Sequence, residues 1–160
     1  MQHEVLENGK VQTVSGTGEA VVEDIALLDI NGKRIEVVDV GQSVTLRVDV
    51  RVHAFIERLV LGYGIKDRLG QVVYGTNTDL KKQPLVNVRA GSLVRFNVNF
   101  SASLGAGTYS IQTALVSTDT HLVHNYEWRD LALVFNVINV SKPTFVGLAW
   151  IDPEIGIEQR

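Results

Sequence analysis

Apolar and polar residues alternate along several stretches of the chain, and the most regular stretch runs from Ser43 to His53. Valine or leucine occupies every second position from Val44 to Val52, and polar residues occupy the positions between them. A period of two places the two sets of side chains on opposite faces of a strand. One buried face and one solvated face are typical of antiparallel sheets. This stretch therefore predicts a half-buried antiparallel strand.

Similar stretches recur along the chain, with turn residues between them. Strands are predicted over residues 19–29, 59–66, 71–76, 93–100, 109–117, 131–137 and 144–151. Asn31-Gly32 predicts a hairpin turn followed by a return strand over residues 33–38. A second hairpin is predicted around Asp67-Arg68-Leu69-Gly70, and no stretch has a convincing helical period. Roughly eight or nine short strands indicate an all-β sandwich.

A short motif, Gly107-Thr108-Tyr109, makes the fold class more specific. A glycine two residues before a tyrosine that opens a late strand is the form of the tyrosine corner, in which the hydroxyl bonds to upstream backbone. The motif predicts an immunoglobulin-like antiparallel β-sandwich. Cysteine is absent, so a disulfide framework, a thiolate zinc site and a catalytic thiol are excluded.

The charge pattern limits the possible partners of the chain. The formal net charge is −3, and acidic and basic residues are spread along the sequence. The sequence therefore predicts no basic patch that would bind nucleic acid. No apolar run approaches the roughly 20 residues of a membrane helix. Residues 1–18 are polar and end in Ser-Gly-Thr-Gly. We interpret them as a linker or an added N-terminal segment, and residues 19–160 as the sandwich domain.

The sequence does not indicate catalysis, a cofactor or a metal. The phosphate-binding pattern GxxxxGK[ST] is absent, so nucleotide hydrolysis is not expected of this chain. His121 and His124 are three residues apart in a predicted loop, a weak metal pattern that solvated histidines explain better. Acidic residues are scattered, and no two are paired by their spacing as glycoside hydrolysis requires.

Two surfaces combine the aromatic and planar polar side chains that bind sugars. One is the polar face of the central strands, with candidate residues Arg47, Asp49, Arg51, Gly62, Gly64, Lys66 and Gln112. At each single position, an ordinary solvated face with cross-strand ion pairs is the favoured explanation. The other is the loop His124–Asp130, with candidate residues Tyr126 and Trp128. The alternative for this loop is a tryptophan that plugs one end of the core.

Several segments together resemble the C-terminal domain of the Wzt family, the ATP-binding subunits of ABC transporters that export bacterial O-antigen polysaccharide. They are Gly62–Asp67 with Gly70, Val73–Thr78, Gly16–Ala20, Gly41–Val44, Gly107–Ser110 and Tyr126–Trp128. Each segment is short, but their order and spacing are specific. The resemblance covers most of the chain.

The resemblance implies a non-catalytic immunoglobulin-like domain that recognises O-polysaccharide, often at its modified non-reducing end, before export. It further implies a homodimer on the cytoplasmic side of the bacterial inner membrane. The missing ATPase domain would connect this chain to the membrane subunit. A different hypothesis is a structural sandwich for dimerisation or docking without glycan binding. The apolar run Phe145–Ile151 is suited to that role because an exposed apolar strand tends to pair with another chain.

Overall fold

The protein is described by a computed structural model at residues 2–5, 11–118 and 125–160. These residues form strands and no helix, so none of them belongs to a helix that could span a membrane. The strands are β1 (Gln2–Val5), β2 (Val11–Ser15), β3 (Ala20–Leu28), β4 (Val37–Asp39), β5 (Ser43–Val52), β6 (Ile56–Lys66), β7 (Val72–Asn77), β8 (Leu85–Val88), β9 (Leu93–Ser101), β10 (Gly107–Val116) and β11 (Asn125–Ile138).

Two sheets pack face to face, which confirms the predicted β-sandwich. The large sheet has the order β1-β2-β11-β10-β6-β7, with β4 beside β11 and β8 beside β6. The small sheet has the order β3-β5-β9. All pairings are antiparallel except the short one between β4 and β11. On one side of the sandwich, β7 and β9 are therefore the free edges of the two sheets.

Alternating side chains build the core between the sheets. From the small sheet, β5 contributes Leu46, Val48 and Val50, which are fully buried. The large sheet contributes Ile111 and Phe135 from β10 and β11, which are also buried. Each fully buried aliphatic or aromatic side chain contributes about 1.5–3 kcal/mol of transfer free energy. The regular period of two in the sequence therefore corresponds to one contiguous core.

The tyrosine corner predicted at Gly107-Thr108-Tyr109 is present. The buried Tyr109 hydroxyl donates a 2.7 Å hydrogen bond to the Gly105 carbonyl, four residues upstream. The Tyr109 ring stacks on Phe135 with a centroid distance of 5.7 Å. These two contacts of Tyr109 fix the chain where it enters β10. They attach the segment between β9 and β10 to the core.

The hairpin between β6 and β7 also follows the prediction. The Asp67 side chain accepts hydrogen bonds from the backbone N–H groups of Leu69 and Gln71, both at 2.9 Å. Gly70 has a φ of 82°, a conformation that glycine adopts at little cost. This turn fixes the register in which Gly64 pairs with Gly75 and Gly62 pairs with Asn77.

The return strand predicted over residues 33–38 is wrong in most of its length. Asp29 closes the turn, because its side chain accepts hydrogen bonds from the N–H groups of Asn31 and Lys33. Only one bridge, between Leu28 and Arg34, then continues the hairpin. The chain next crosses to the large sheet, where β4 pairs in parallel with β11.

The strand predicted over residues 144–151 is also wrong, since this segment forms only an isolated bridge between Leu104 and Ala149. The N–H groups of Gly105 and Trp150 each donate one 3.0 Å hydrogen bond across this contact. Gly147, with a φ of 104°, interrupts the extended conformation. The run of apolar residues therefore packs locally instead of extending a sheet.

The N-terminal segment differs from the expected linker as well. Residues 11–15 form β2, which pairs with β11 through Ser15 opposite Trp128 and Val14 opposite Arg129. Gln12 is buried within this part of the sheet, and its side-chain amide donates a 3.0 Å hydrogen bond to the Leu131 carbonyl. The folded unit therefore starts before residue 19.

Candidate functional site

The structure divides the predicted polar face into two surfaces on opposite sides of the sandwich. Arg47, Asp49 and Arg51 project outward from β5, because the residues between them fill the core. The remaining members lie on the outer face of the large sheet: Gly62, Gly64, Lys66 and Gln112. The expectation that these side chains form one surface is therefore corrected, since the core separates the two groups.

Ion pairs occupy the candidate residues of the small sheet. Arg95 donates two hydrogen bonds to the Asp49 carboxylate, from Nε at 2.8 Å and from Nη2 at 3.0 Å. Arg51 pairs with Glu23 at 3.1 Å. Arg47 lies 3.6 Å from Asp24, which also pairs with Arg34. All three candidates thus have a charged partner on a neighbouring strand or turn, the arrangement of a solvated face with cross-strand pairs.

The pair between Asp49 and Arg95 makes stability depend on pH. Hydrogen bonds from Arg95 hold the pKa of Asp49 below its ordinary value of 3.8. The stabilisation is therefore present above that value and is lost as the pH falls through the lower pKa of the folded chain. We expect the difference in unfolding free energy between wild type and Asp49→Asn, measured by urea titration, to shrink as the pH falls from neutrality to below 3.8. A difference independent of pH would contradict this assignment.

Small residues occupy adjacent positions on the outer face of the large sheet, and we call this surface the glycine trough. The sheet register places Gly75, Gly64 and Gln112 in one row across three strands. The next row contains Asn77, Gly62, Ala114 and Trp128 from four strands. The floor thus consists of three glycines and one alanine, bordered by two amides and an indole.

Internal packing does not explain the glycines at positions 62 and 64. Neither has a positive φ, and the irregularity in the pairing of β6 with β7 falls after them, at Ile65 and Lys66. A Cβ atom at Gly62 would lie 3.6 Å from its nearest neighbour, and one at Gly64 would lie 3.8 Å away. Both are ordinary van der Waals distances. Glycine weakens a strand interior unless something approaches the backbone closely. Among the described residues no atom comes close enough to either glycine to exclude a Cβ atom, so internal packing does not require glycine at these two positions.

A bulge in β11 places a charged pair at the border of the trough. Between the pairs Thr113–Arg129 and Ile111–Leu133 the register shifts, and Leu131 has a φ of 49°. Asp130 lies within this bulge, 3.5 Å from the amino group of Lys66. Bulges often re-aim side chains next to functional sites. The irregular backbone thus brings the Asp130 carboxylate to the Lys66 ammonium group, on the outer face of β6 two residues after Gly64.

The two aromatic candidates lie in a strand, so the prediction that residues 125–130 form a loop is wrong. Tyr126 belongs to the core, and its hydroxyl donates a 3.1 Å hydrogen bond to the Arg58 carbonyl. Burial raises the pKa of the Tyr126 hydroxyl. Trp128 instead lies on the outer face, packed against Val60, Ala114 and Val116. Tyr126 is therefore a core residue, and Trp128 is the aromatic residue that borders the trough.

Both histidines of the predicted loop pair, His121 and His124, lie outside the described residues, as does the nearby Asp119. Among the residues that are described, no group of three or more acidic or histidine side chains could hold a metal ion.

The domain model described as "Wzt C-terminal domain" matches residues 11–151. This chain belongs to the Wzt C-terminal domain family. The match begins at β2, in agreement with the strand found in the segment expected to be a linker.

A solved structure agrees with this assignment at the level of the fold. The crystal structure of the C-terminal domain of Wzt superposes with a TM-score of 0.79 at 18% sequence identity, covering 92% of this chain and 89% of that chain. A β-glucosidase from Listeria innocua in complex with glucose matches at a TM-score of 0.39 and 9% identity, covering 81% of this chain and 16% of the enzyme. No curated protein matches the sequence significantly.

In this Wzt domain, sequence reasoning missed some residues of the trough. Gly75 and Asn77 pair directly with Gly64 and Gly62, so the register of the predicted hairpin could have identified them. Ala114 could have been found only from the pairing of β10 with β6. Asp130 depends on the bulge in β11, and the sequence carries no signal for that bulge.

Proposed function

We propose that this Wzt domain is a non-catalytic module that binds O-antigen polysaccharide. We further propose that the bound polysaccharide lies in the glycine trough. The observation that carries the proposal is that packing does not require glycine at positions 62 and 64, where an added Cβ atom would meet its neighbours at ordinary van der Waals distances. A sugar ring can approach a bare backbone closely and lay its apolar face on small residues. The trough thus provides room for a bulky, flat ligand.

The border of the trough supplies the groups that carbohydrate recognition needs. The Trp128 indole offers an apolar ring, and the amides of Gln112 and Asn77 can each donate and accept hydrogen bonds. Lys66 and Asp130 pair with each other at 3.5 Å, so their charges offset each other. A neutral polymer with many hydroxyl groups fits this mixture better than a strongly charged one.

The family assignment gives this binding its biological setting. We infer that the domain selects O-polysaccharide, in the region of its non-reducing end, for an ABC transporter. In that setting the domain acts as a homodimer on the cytoplasmic side of the inner membrane. An ATPase domain of the same protein would connect it to the membrane subunit.

Nuclear magnetic resonance titration of the whole chain with the O-polysaccharide of its own strain tests the proposal. We expect chemical-shift changes concentrated at the amides of Gly62, Gly64 and Gly75 and at the Trp128 indole. Dextran, a neutral polymer of different repeat, serves as the control and should leave these signals in place. The absence of shifts with the O-polysaccharide, or shifts confined to the outer face of the small sheet, would contradict the proposal.

A structural docking role is the second candidate, favoured by exposed apolar residues near the C-terminus. Val146, Ile151, Ile155 and Ile157 are all at least 75% exposed. If docking is the function, deletion of residues 145–151 should convert a dimer into monomers in analytical ultracentrifugation. Substitutions in the glycine trough should then have no effect on any activity of the chain.

A further inference from the structure

An ion pair crosses the outer face of the large sheet at one end of the glycine trough. Lys66 lies two residues beyond Gly64 on the same face of β6. Its amino group lies 3.5 Å from Asp130, which belongs to the bulge of β11. The buried Ser110 of β10 pairs with Lys66 and separates it from β11. The ion pair therefore bridges β10 and bounds the trough at this end.

Both partners of the pair have hydrogen-bonding capacity that the described part of the chain does not use. The Lys66 ammonium carries three donors, and its 3.5 Å distance to Asp130 is longer than the about 2.7–2.9 Å of a charge-assisted hydrogen bond. Asp130 uses Oδ1, which faces Lys66 and accepts a 3.0 Å hydrogen bond from the Leu131 N–H. Among the described residues, Oδ2 has no donor. The pair thus presents donors and an acceptor side by side.

The two charged groups are partly withdrawn from water. The Lys66 side chain is 18% exposed and that of Asp130 is 32% exposed. Hydrogen bonds to such groups are stronger than those to fully solvated ones, because the local dielectric constant is lower. A ligand that reaches the pair can therefore gain affinity from it.

The trough has a polar end at this pair and an apolar end at Trp128. Trp128 lies in the row of Gly62, which is four residues from Lys66 along β6. At the usual rise of a strand, the two rows are about 13 Å apart. A sugar chain of a few units can therefore contact the indole and the ion pair together.

We propose that Lys66 and Asp130 together recognise a vicinal diol, that is, two adjacent hydroxyl groups of one sugar unit. The inference rests on the glycan binding proposed above. One hydroxyl donates to Oδ2 of Asp130, and the Lys66 ammonium donates to the neighbouring hydroxyl. Each hydroxyl both donates and accepts, so an adjacent pair matches an acceptor and a donor held side by side. A diol methylated or acetylated at both positions has no donor left for the carboxylate and is disfavoured.

Isothermal titration calorimetry of the whole chain with the O-polysaccharide of its own strain measures what the pair contributes. Asp130→Asn keeps one oxygen for the Leu131 N–H and replaces the other by an amide nitrogen, and Lys66→Met keeps the aliphatic stem without the ammonium. Each should weaken binding about tenfold, the loss expected for one hydrogen bond to a charged group. Glu23→Gln changes an exposed ion pair on the small sheet and should leave the affinity unchanged.

Oxidation of the polysaccharide tests the chemistry of the ligand. Periodate cleaves vicinal diols, and borohydride then reduces the resulting aldehydes, which would otherwise react with lysine. The oxidised and reduced polymer should bind the wild type more weakly. The corresponding loss in Asp130→Asn should be much smaller, because the same hydrogen bond is already missing. An equal loss in both proteins overturns the proposal, and so does a polysaccharide that consumes no periodate.

Gly64→Trp, which fills the trough, separates this proposal from the one on which it rests. If that variant loses binding while Asp130→Asn and Lys66→Met keep wild-type affinity, the diol proposal is overturned and the trough proposal stands. If all three keep wild-type affinity, both proposals are overturned. A loss in Lys66→Met without one in Asp130→Asn also overturns the diol, since the ammonium alone would then bind an anionic group of the sugar.

Discussion

Replacing Gly64 with tryptophan is expected to weaken O-polysaccharide binding at least about tenfold while leaving the domain folded. The indole would stand on the floor of the glycine trough and occupy the space assigned to the sugar. The fold should tolerate it, because a Cβ atom at this position meets its nearest neighbour at 3.8 Å. Isothermal titration calorimetry gives the affinity, and urea denaturation gives the stability of the same sample.

Two control variants make this prediction specific. Thr45→Trp places the same ring on the outer face of the small sheet and should leave the affinity unchanged. Gly64→Ala should raise the free energy of unfolding by about 0.5–1 kcal/mol, because glycine in a strand interior is less stable than alanine by that amount. If Gly64→Trp is folded and binds O-polysaccharide with wild-type affinity, the sugar chain lies elsewhere.

Replacing Arg129 with methionine is expected to lower the free energy of unfolding by about 3 kcal/mol. Glu127, its partner at 3.1 Å, points into the sandwich, where only 4% of the side chain is exposed. Its carboxylate also accepts a 3.2 Å hydrogen bond from the backbone N–H of Val22 in the small sheet. Without Arg129 the buried carboxylate would lose its charged partner. Urea denaturation at neutral pH measures the loss.

Two control variants test this effect: one removes an exposed ion pair, and the other removes both partners of the buried pair. Arg34→Met removes an exposed ion pair with Asp24 and should cost less than about 1 kcal/mol. Glu127→Met combined with Arg129→Met removes both charges and should recover part of the stability lost in the single variant. An effect of Arg129→Met no larger than that of Arg34→Met would show that the buried carboxylate does not depend on its partner.

The strands that could be predicted from sequence are those with a regular period of two. β5, β9 and β10 each have one face in the core and one outward face, so burial imposes the alternation directly on the sequence. The turn at Asp67 was predictable for a different reason, since its hydrogen bonds are local. Both kinds of signal depend only on residues close together in the chain.

What could not be predicted depends on pairing between distant residues. The alternation in β5 and β10 is the same whether the two strands share a sheet or face each other, so the separation of Arg47 from Gln112 had no sequence signal. The bulge at Leu131 interrupts the alternation of β11 and hid the strand that contains Trp128. Residues 144–151 have the composition of a strand, but the structure places no continuous partner strand beside them.

The turn between β6 and β7 holds the register that places Gly75 and Asn77 on the outer face of the large sheet. A shift of one residue in the pairing of a strand moves every side chain to the other face. Such a slip would turn Gly75 and Asn77 toward the core and bring Tyr74 and Thr76 onto the floor of the trough. The proposed sugar surface therefore depends on a turn that itself contributes no residue to it.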